Sequence, residues 1–340
     1  SYDHKMDPLN QGLFGSTVAS CSSKKKNVKK AIVCGFIGGV SPDLDIFIKS
    51  ASDPLLAVDF HRHFTHSLIF SPIGGFFVSL FLFFFLKKKL SYSQIYLYSF
   101  LGYLSHGFLD ACTSYGTVLF WPFSDIRVGL NIISIIDPIF TGFLLIFVLT
   151  TLLRKSSNLT IKIGLIVSIS HLTFNFIKHQ QVKDYIKKIA SDRNHKIERL
   201  YLKPTIGNNF LWRSIYQNNN TYFINAIYYP LFGTPQYKVG SKVKVIDKKT
   251  VFPQISANST HRKDIMRFAY FSQNFIYLHP YIDNFIADLR YSSLPYTDNS
   301  LWGIEINFNE PDKHVLFRNI RNFNDKVYKE FWNMLKGDLN

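Results

Sequence analysis

The pattern of apolar and polar positions divides the chain in two. The first part is dominated by long apolar runs. Leu68–Leu86 comprises 19 residues without a single charge. As a helix it would reach about 28 Å, close to the ~30 Å hydrocarbon core of a bilayer. Lys87, Lys88 and Lys89 follow at once, as an interfacial stop would. Runs of lower purity at Ala31–Ile48, Ser93–Ala111, Ile132–Leu153 and Leu159–Ile177 read as further spans, and Met6–Ser22 as a short span or interfacial helix. A buried helical core competes as a reading of the same runs. The pattern thus predicts a multi-pass α-helical membrane domain of five or six helices over residues 1–180.

Beyond Gln180 the pattern changes. Residues 181–200 read as a charged helical connector. Residues 201–340 then read as a soluble α+β domain. Its expected strands are Tyr222–Tyr229, Tyr237–Ile246, Arg267–Leu278, Phe285–Tyr291 and Leu301–Phe308, punctuated by Gly and Pro. A closing amphipathic helix, Asn324–Leu335, carries Val327, Tyr328, Phe331 and Leu335 on one face.

Composition sharpens this division. With 47% hydrophobic and 18% charged residues, the chain is not a disordered tail. Three cysteines, with no CxxC pair, exclude a disulfide framework. The mean hydropathy of +0.03 averages two unlike parts. Residues 1–180 hold 16 Lys/Arg and only 9 acids, all Asp; 181–340 hold 23 Lys/Arg and 14 Asp/Glu. Lys24–Lys30 follow the first apolar stretch rather than precede it, which argues against a cleaved signal peptide. The clusters Lys24–Lys30, Lys87–Lys89 and Arg154/Lys155 would lie on the cytoplasmic side. Threading the spans between them puts loops 50–65 and 112–130, and the C-terminal domain, on the outer face. The net charge of +16 (39 − 23) therefore reports orientation and a basic outer domain rather than nucleic-acid binding, for which no motif is present.

The informative residues are the polar ones within the apolar half, where ionisable groups are costly and usually functional. Ser41-Pro42-Asp43-Leu44-Asp45 places two carboxylates where Pro42 should break a helix. His61-Arg62-His63-Phe64-Thr65-His66 packs three imidazoles and a guanidinium into six residues. His106 and Asp110 are spaced i, i+4, one helix turn apart on one face. The loop after them holds Gly116, Pro122 and Arg127, and Asp137 lies inside the next span as a cap, packing group or supporting carboxylate. A topology set by lysines and arginines alone brings Asp43, Asp45, His61, His63, His66, His106 and Asp110 to one membrane face. Mixed His nitrogen and Asp oxygen donors favour Zn²⁺, with Mn²⁺ or Fe²⁺ as alternatives, over an all-oxygen Ca²⁺ site.

These motifs carry a family resemblance. Met6-Asp7-Pro8-Leu9, Pro42-Asp43-Leu44-Asp45, His61-Arg62-x-Phe64-Thr65-His66-Ser67, Gly102-Tyr103-Leu104-Ser105-His106, Asp110-Ala-x-Thr113-Ser114-Tyr115-Gly116-Thr117 and Trp121-Pro122-Phe123-Ser124 resemble the YdjM-type family of inner-membrane proteins. The likeness extends through Gly207–Arg213, Asp288-Leu289-Arg290-Tyr291 and Leu301-Trp302-Gly303-Ile304. That family is described as metal-dependent hydrolases and is similar in turn to the zinc-dependent phospholipase C and single-strand nuclease superfamily. The resemblance implies Asp45 or Asp43, His66, His106 and Asp110 as ligands. One position departs from it: where the family has a His after its Asp-Pro-Leu-Thr, this chain has Gln11. Gln11 leaves three outcomes: one metal fewer, a supporting role for Gln11, or lost activity.

The expectation is a membrane-bound hydrolase that cleaves a phosphoester of a lipid or lipid-linked substrate with metal-activated water. Asp43, Asp45, His66, His106 and Asp110 would hold metal, His61 or His63 would carry the proton, and Arg62 or Arg127 would hold phosphate. The alternative is a non-enzymatic membrane protein with a structural or degenerate metal site and a partner-binding outer domain. A transporter using His and Asp as relays is disfavoured, because the acids crowd one face rather than the midplane.

Overall fold

The computed structural model describes residues 8–154 and 158–339. Met6, Asp7 and Lys155 lie outside the described residues. In chain order the helices are α1 (Pro8–Cys21), α2 (Val28–Val40), α3 (Leu56–Phe60), α4 (Ser71–Leu86), α5 (Tyr92–Cys112), α6 (Pro138–Leu153), α7 (Asn158–Asp192), α8 (Thr260–Phe271) and α9 (Asp325–Leu335). The strands are β1 (Arg199–Pro204), β2 (Leu211–Asn218), β3 (Thr221–Tyr228), β4 (Gln236–Lys244), β5 (Ile276–Leu278), β6 (Phe285–Asp288), β7 (Trp302–Glu305) and β8 (Leu316–Asn319). The chain forms two units. The first holds residues 1–47, 60–178 and 206–208, and the second holds 48–59, 179–205 and 209–340.

The structure overturns the multi-pass reading of five or six spans. Among the described residues only α7, at 35 residues, is long and apolar enough to cross a membrane. A second crossing is counted only if Leu56–His66 and Ser71–Leu86, bent by 87°, form one broken span. For four of the helices the reason is length, whereas α5, at 21 residues, is long enough but too polar. Helices α1, α2, α4 and α6 have 14, 13, 16 and 16 residues. That gives them roughly 20–24 Å, short of a ~30 Å core. The apolar runs were longer than the helices they form. Ala31–Ile48 leaves the α-helix at Val40 and tightens into a 3₁₀ turn, Ser41–Phe47. Leu68–Leu86 begins its helix only at Ser71, with Pro72 in the first turn. The membrane side deduced by threading five spans loses its basis with them.

The first unit is instead a set of mutually burying helices. One core cluster joins Leu13 and Phe14 of α1, Val28 and Ile32 of α2, Leu109 of α5, Phe140 and Leu144 of α6, and Ile161 and Leu172 of α7. A second joins α2 to Val78 and Leu82 of α4 and to Ile95, Tyr98 and Tyr103 of α5. Backbones meet closely where side chains vanish: a Cβ on Gly39 would stand 2.5 Å from the Gln11 carbonyl oxygen. Helix α5 starts at a capping box of Ser91 and Gln94. Helix α6 starts at Asp137, whose carboxylate accepts from the Ile139 and Phe140 N–H groups at 3.0 Å each. Outward, α4, α6 and α7 remain apolar: Phe77, Phe81, Phe84, Phe85, Ile146 and Ile166 are exposed.

In the second unit two antiparallel four-stranded sheets run in the orders β1-β2-β3-β4 and β5-β6-β7-β8. One face of the first sheet packs Leu202, Trp212, Tyr216 and Ile227 against Val182, Ile186 and Ile189 of α7. Its other face packs Tyr201, Ile215, Tyr222 and Ile224 against Phe275, Tyr277, Phe285 and Leu289. The run Arg267–Leu278, expected as a strand, divides into the end of α8 and the short β5.

Candidate metal centre

Three separate pieces of the first unit bring four donor atoms together. The 3₁₀ turn after α2 supplies Asp43, the short 3₁₀ turn Phe64–His66 supplies His66, and α5 supplies His106 and Asp110. His66 Nε2 and His106 Nε2 are 2.9 Å apart. Asp43 Oδ1 lies 3.5 Å from His66 Nε2 and 3.4 Å from His106 Nε2. Asp110 Oδ2 lies 3.4 and 3.6 Å from the same two nitrogens. A tetrahedral ion with bonds of about 2.0–2.1 Å spaces its donors about 3.3 Å apart. The five measured edges scatter around that value.

Two further observations fit a cation. Asp43 Oδ1 is buried, yet it has no hydrogen-bond donor, although orphaned buried carboxylate oxygens are costly. The imidazoles are also preset. His106 Nδ1 donates to the Gly39 carbonyl at 2.5 Å, which leaves the Nε2 lone pair for a ligand role. His66 Nδ1 faces Thr65 Oγ1 at 3.0 Å and Asp45 Oδ2 at 3.3 Å.

Asp45 thus stands behind the donor set rather than in it. Its Oδ1 meets His61 Nδ1 at 2.9 Å, and its Oδ2 accepts from the Arg62 backbone N–H and the Thr65 hydroxyl, both at 3.0 Å. Gln11, fully buried, donates its side-chain amide to Asp110 Oδ1 and so buttresses that carboxylate from behind. Arg62 Nε sits 3.0 Å from Asp110 Oδ2, and its Nη1 donates to Thr113 Oγ1 at 3.0 Å. Gly107 allows the approach: a Cβ there would stand 2.3 Å from the His66 carbonyl oxygen.

The electrostatics follow from this packing. Burial pushes the Asp43 carboxyl up, but the His106 and His66 imidazoles outweigh it and hold it well below the usual carboxylate range. Burial likewise raises Asp110, and Arg62, His106 and His66 bring it back below the usual value.

The remaining expected residues lie around this centre. His61 is half-buried, its ring 6.0 Å from that of His66. His63 packs among Phe60, Phe64 and Trp121. Arg127 Nη1 donates to the carbonyls of His61 and Gly116 at 3.2 and 3.3 Å, fastening the loop that carries His61. Asp137 caps α6 and meets His171 Nε2 at 3.2 Å. Sequence reasoning did not single out His171 or Thr65, since a lone His or Thr on an apolar helix or turn carries no signal without its partner.

A second group, Asp53, Asp264 and His314, also has donor atoms close together in the second unit. There the cation is already present. Arg267 donates to Asp53, Asp59 and Asp264 over 2.6–3.1 Å.

Comparison with known proteins places this geometry in context. The chain is similar to the uncharacterized protein YfhP of Bacillus subtilis (strain 168), with 23% identity over 175 residues, covering 52% of this chain and 52% of that protein. It therefore spans about half the length of the curated relative it matches. No solved structure matches it. The family model described as YdjM inner membrane protein matches residues 6–182, which include all four donor residues and those that support them. The chain belongs to the YdjM inner membrane protein family.

Proposed function

We propose that the first unit is a metal-dependent hydrolase of the inner membrane, acting on a phosphoester of a lipid or lipid-linked molecule. The observation that carries the reading is the spacing of two carboxylate oxygens, Asp43 Oδ1 (buried and without a hydrogen-bond donor) and Asp110 Oδ2, at tetrahedral distances from two imidazole nitrogens. Asp43, His66, His106 and Asp110 would hold a divalent ion, Zn²⁺ first by donor chemistry and Mn²⁺ or Fe²⁺ next, which would supply an activated water as nucleophile.

The chain's own residues divide the remaining work. Asp43 is the ligand with an exposed side, at 15% against 0% for the other three, so substrate enters past it. His61 stands at the same rim, oriented by Asp45, and receives and returns the proton. Arg62 and Arg127 hold the walls through Asp110, Thr113 and backbone carbonyls, a positioning role in place of the expected phosphate grip. The face of α5 presenting Leu101, Leu104 and Phe108 lines an apolar groove of 660 Å³ with Phe14 and Leu165, suited to a hydrocarbon chain. The exposed Phe and Ile side chains of α4, α6 and α7 support contact with lipid.

One observation favours a second reading, a structural ion. Four protein donors fill a tetrahedron, as closed structural sites do, whereas catalytic zinc keeps a position open. The deciding experiment is hydrolysis of a simple phosphodiester and of vesicle-borne phosphatidate by the purified, metal-loaded chain. Turnover that disappears in His61→Ala while metal content stays intact supports the hydrolase. Stoichiometric metal with no turnover on either substrate leaves the structural reading.

A further inference from the structure

The second unit buries more positive charge than it neutralises. Lys203 on β1 and Arg213 on β2 are direct cross-strand partners in an antiparallel pair. Like charges placed opposite each other destabilise a sheet. Arg213 is fully buried, and no carboxylate pairs with it among the described residues; its Nη1 and Nη2 are spent on Ser292 Oγ and on the carbonyls of Leu289, Pro295 and Thr297 at 2.7–2.9 Å. A third cation, Arg290, is also fully buried. Its Nε and Nη2 grip Asp288 at 3.0 and 2.8 Å. Asp288 is the acid that pairs within the group, and Asp298 also acts on Arg213, so three cations outnumber the acids that face them.

The donors left over converge on one pair of rings. Lys203 Nζ lies 4.1 Å from the Tyr291 ring centroid. The Arg290 guanidinium lies 5.4 Å from the same ring and 5.9 Å from that of Tyr201. Tyr201 and Lys203 share one face of β1, two residues apart. Arg213 Nε and Arg290 Nη1 are buried without a hydrogen-bond acceptor. Unpaired buried cations are expensive, and a fold that keeps them has a use for them. Lys203, only partly buried, gives the cluster access to solvent.

We propose that Lys203, Arg213 and Arg290, gathered beside Tyr201 and Tyr291, bind a phosphoryl group. The donor set selects the ligand: N–H groups from three cationic side chains match the several oxygens of a phosphoryl group better than the two of a carboxylate. Guanidinium and ammonium donors are the usual partners of phosphate oxygens. The site lies wholly in the second unit and does not depend on the metal-centre reading.

The test uses the full chain in detergent and follows acetylation of individual lysines by mass spectrometry. Millimolar inorganic phosphate or sulfate slows labelling of Lys203, while the exposed Lys187 and Lys313 react unchanged and acetate at equal ionic strength has no effect. Vesicles containing phosphatidate form a second arm. Protection there at lower phosphate concentration than with the free ion assigns the group to a lipid headgroup, and protection by the free ion alone assigns it to a soluble phosphate compound. Equal Lys203 labelling in phosphate, sulfate, acetate and vesicles overturns the proposal. In Lys203→Met the rise in melting temperature produced by phosphate disappears, whereas melting without phosphate is undiminished because a cross-strand repulsion has gone. Retention of the phosphate response by that variant also overturns the proposal.

Discussion

Replacing Asp45 by Asn separates a supporting carboxylate from a ligand. The side chain keeps its shape but loses its charge, and one of its two oxygens becomes an amide donor. In the native arrangement those oxygens meet His61 Nδ1 at 2.9 Å, the Arg62 N–H and Thr65 hydroxyl at 3.0 Å, and His66 Nδ1 at 3.3 Å. The charge behind His66 raises the basicity of Nε2 and fixes the ring. Losing such an outer partner typically weakens metal binding about 10–100-fold, or about 1.4–2.8 kcal/mol. Asp45→Asn therefore binds the same number of ions per chain with an affinity lower by that factor. Asp110→Ala, by contrast, removes a donor and loses the stoichiometry. Competition against a chromophoric chelator, combined with elemental analysis, measures both quantities. Unchanged affinity in Asp45→Asn, or loss of the ion altogether, would refute the assignment of Asp45 to the position behind His66.

Gly107→Ala forces a methyl to 2.3 Å from the His66 carbonyl oxygen; it lowers stability by about 1–3 kcal/mol and weakens metal uptake, as denaturant titration and elemental analysis will show. Burial, then Arg213 and Arg290, push the Lys203 amine down to about 7, with Asp288 opposing. The unfolded amine titrates near about 10.4, so between roughly pH 7 and 10 the unfolded chain binds the extra proton and stability rises with pH. In phosphate-free buffer that rise is at most a few kcal/mol, reduced by the partial exposure of Lys203; Lys203→Met removes it, and an unaltered slope in that variant contradicts the assignment. Tyr201, Tyr291, Tyr277 and Asp298 also face this cluster, so the variant rather than the wild-type slope is decisive. Arg267→Ala leaves Asp53, Asp59 and Asp264 without their shared partner and costs the second unit about 1–3 kcal/mol, read from its denaturant midpoint.

The centre was legible because its chemistry contradicts its surroundings. Two Asp residues at a helix-breaking Pro, three His in six residues and an i, i+4 His–Asp pair stand out against apolar runs. The division between Asp43 and Asp45 was not legible. Two carboxylates two residues apart in a 3₁₀ turn point in different directions, and only the folded positions of His66 and His106 separate them. The number of spans was misread for a physical reason: hydropathy measures the length of an apolar run, whereas Val40 and Ser71 mark where its helices stop and start. The same ambiguity affected Arg267–Leu278, whose apolar residues fit a buried helix end as well as a strand. Strands β1 and β2 escaped notice because Arg199, Lys203, Pro204 and Arg213 interrupt their alternation. Of these, Lys203 and Arg213 belong to the buried cationic cluster.

The most direct test of the central claim is elemental analysis of the purified chain together with anomalous scattering at the metal edge. One divalent ion per chain is expected, with an anomalous peak about 2.0–2.2 Å from Asp43, His66, His106 and Asp110. A chain that neither carries nor takes up metal, or a peak centred elsewhere, such as among Asp53, Asp264 and His314, would contradict it.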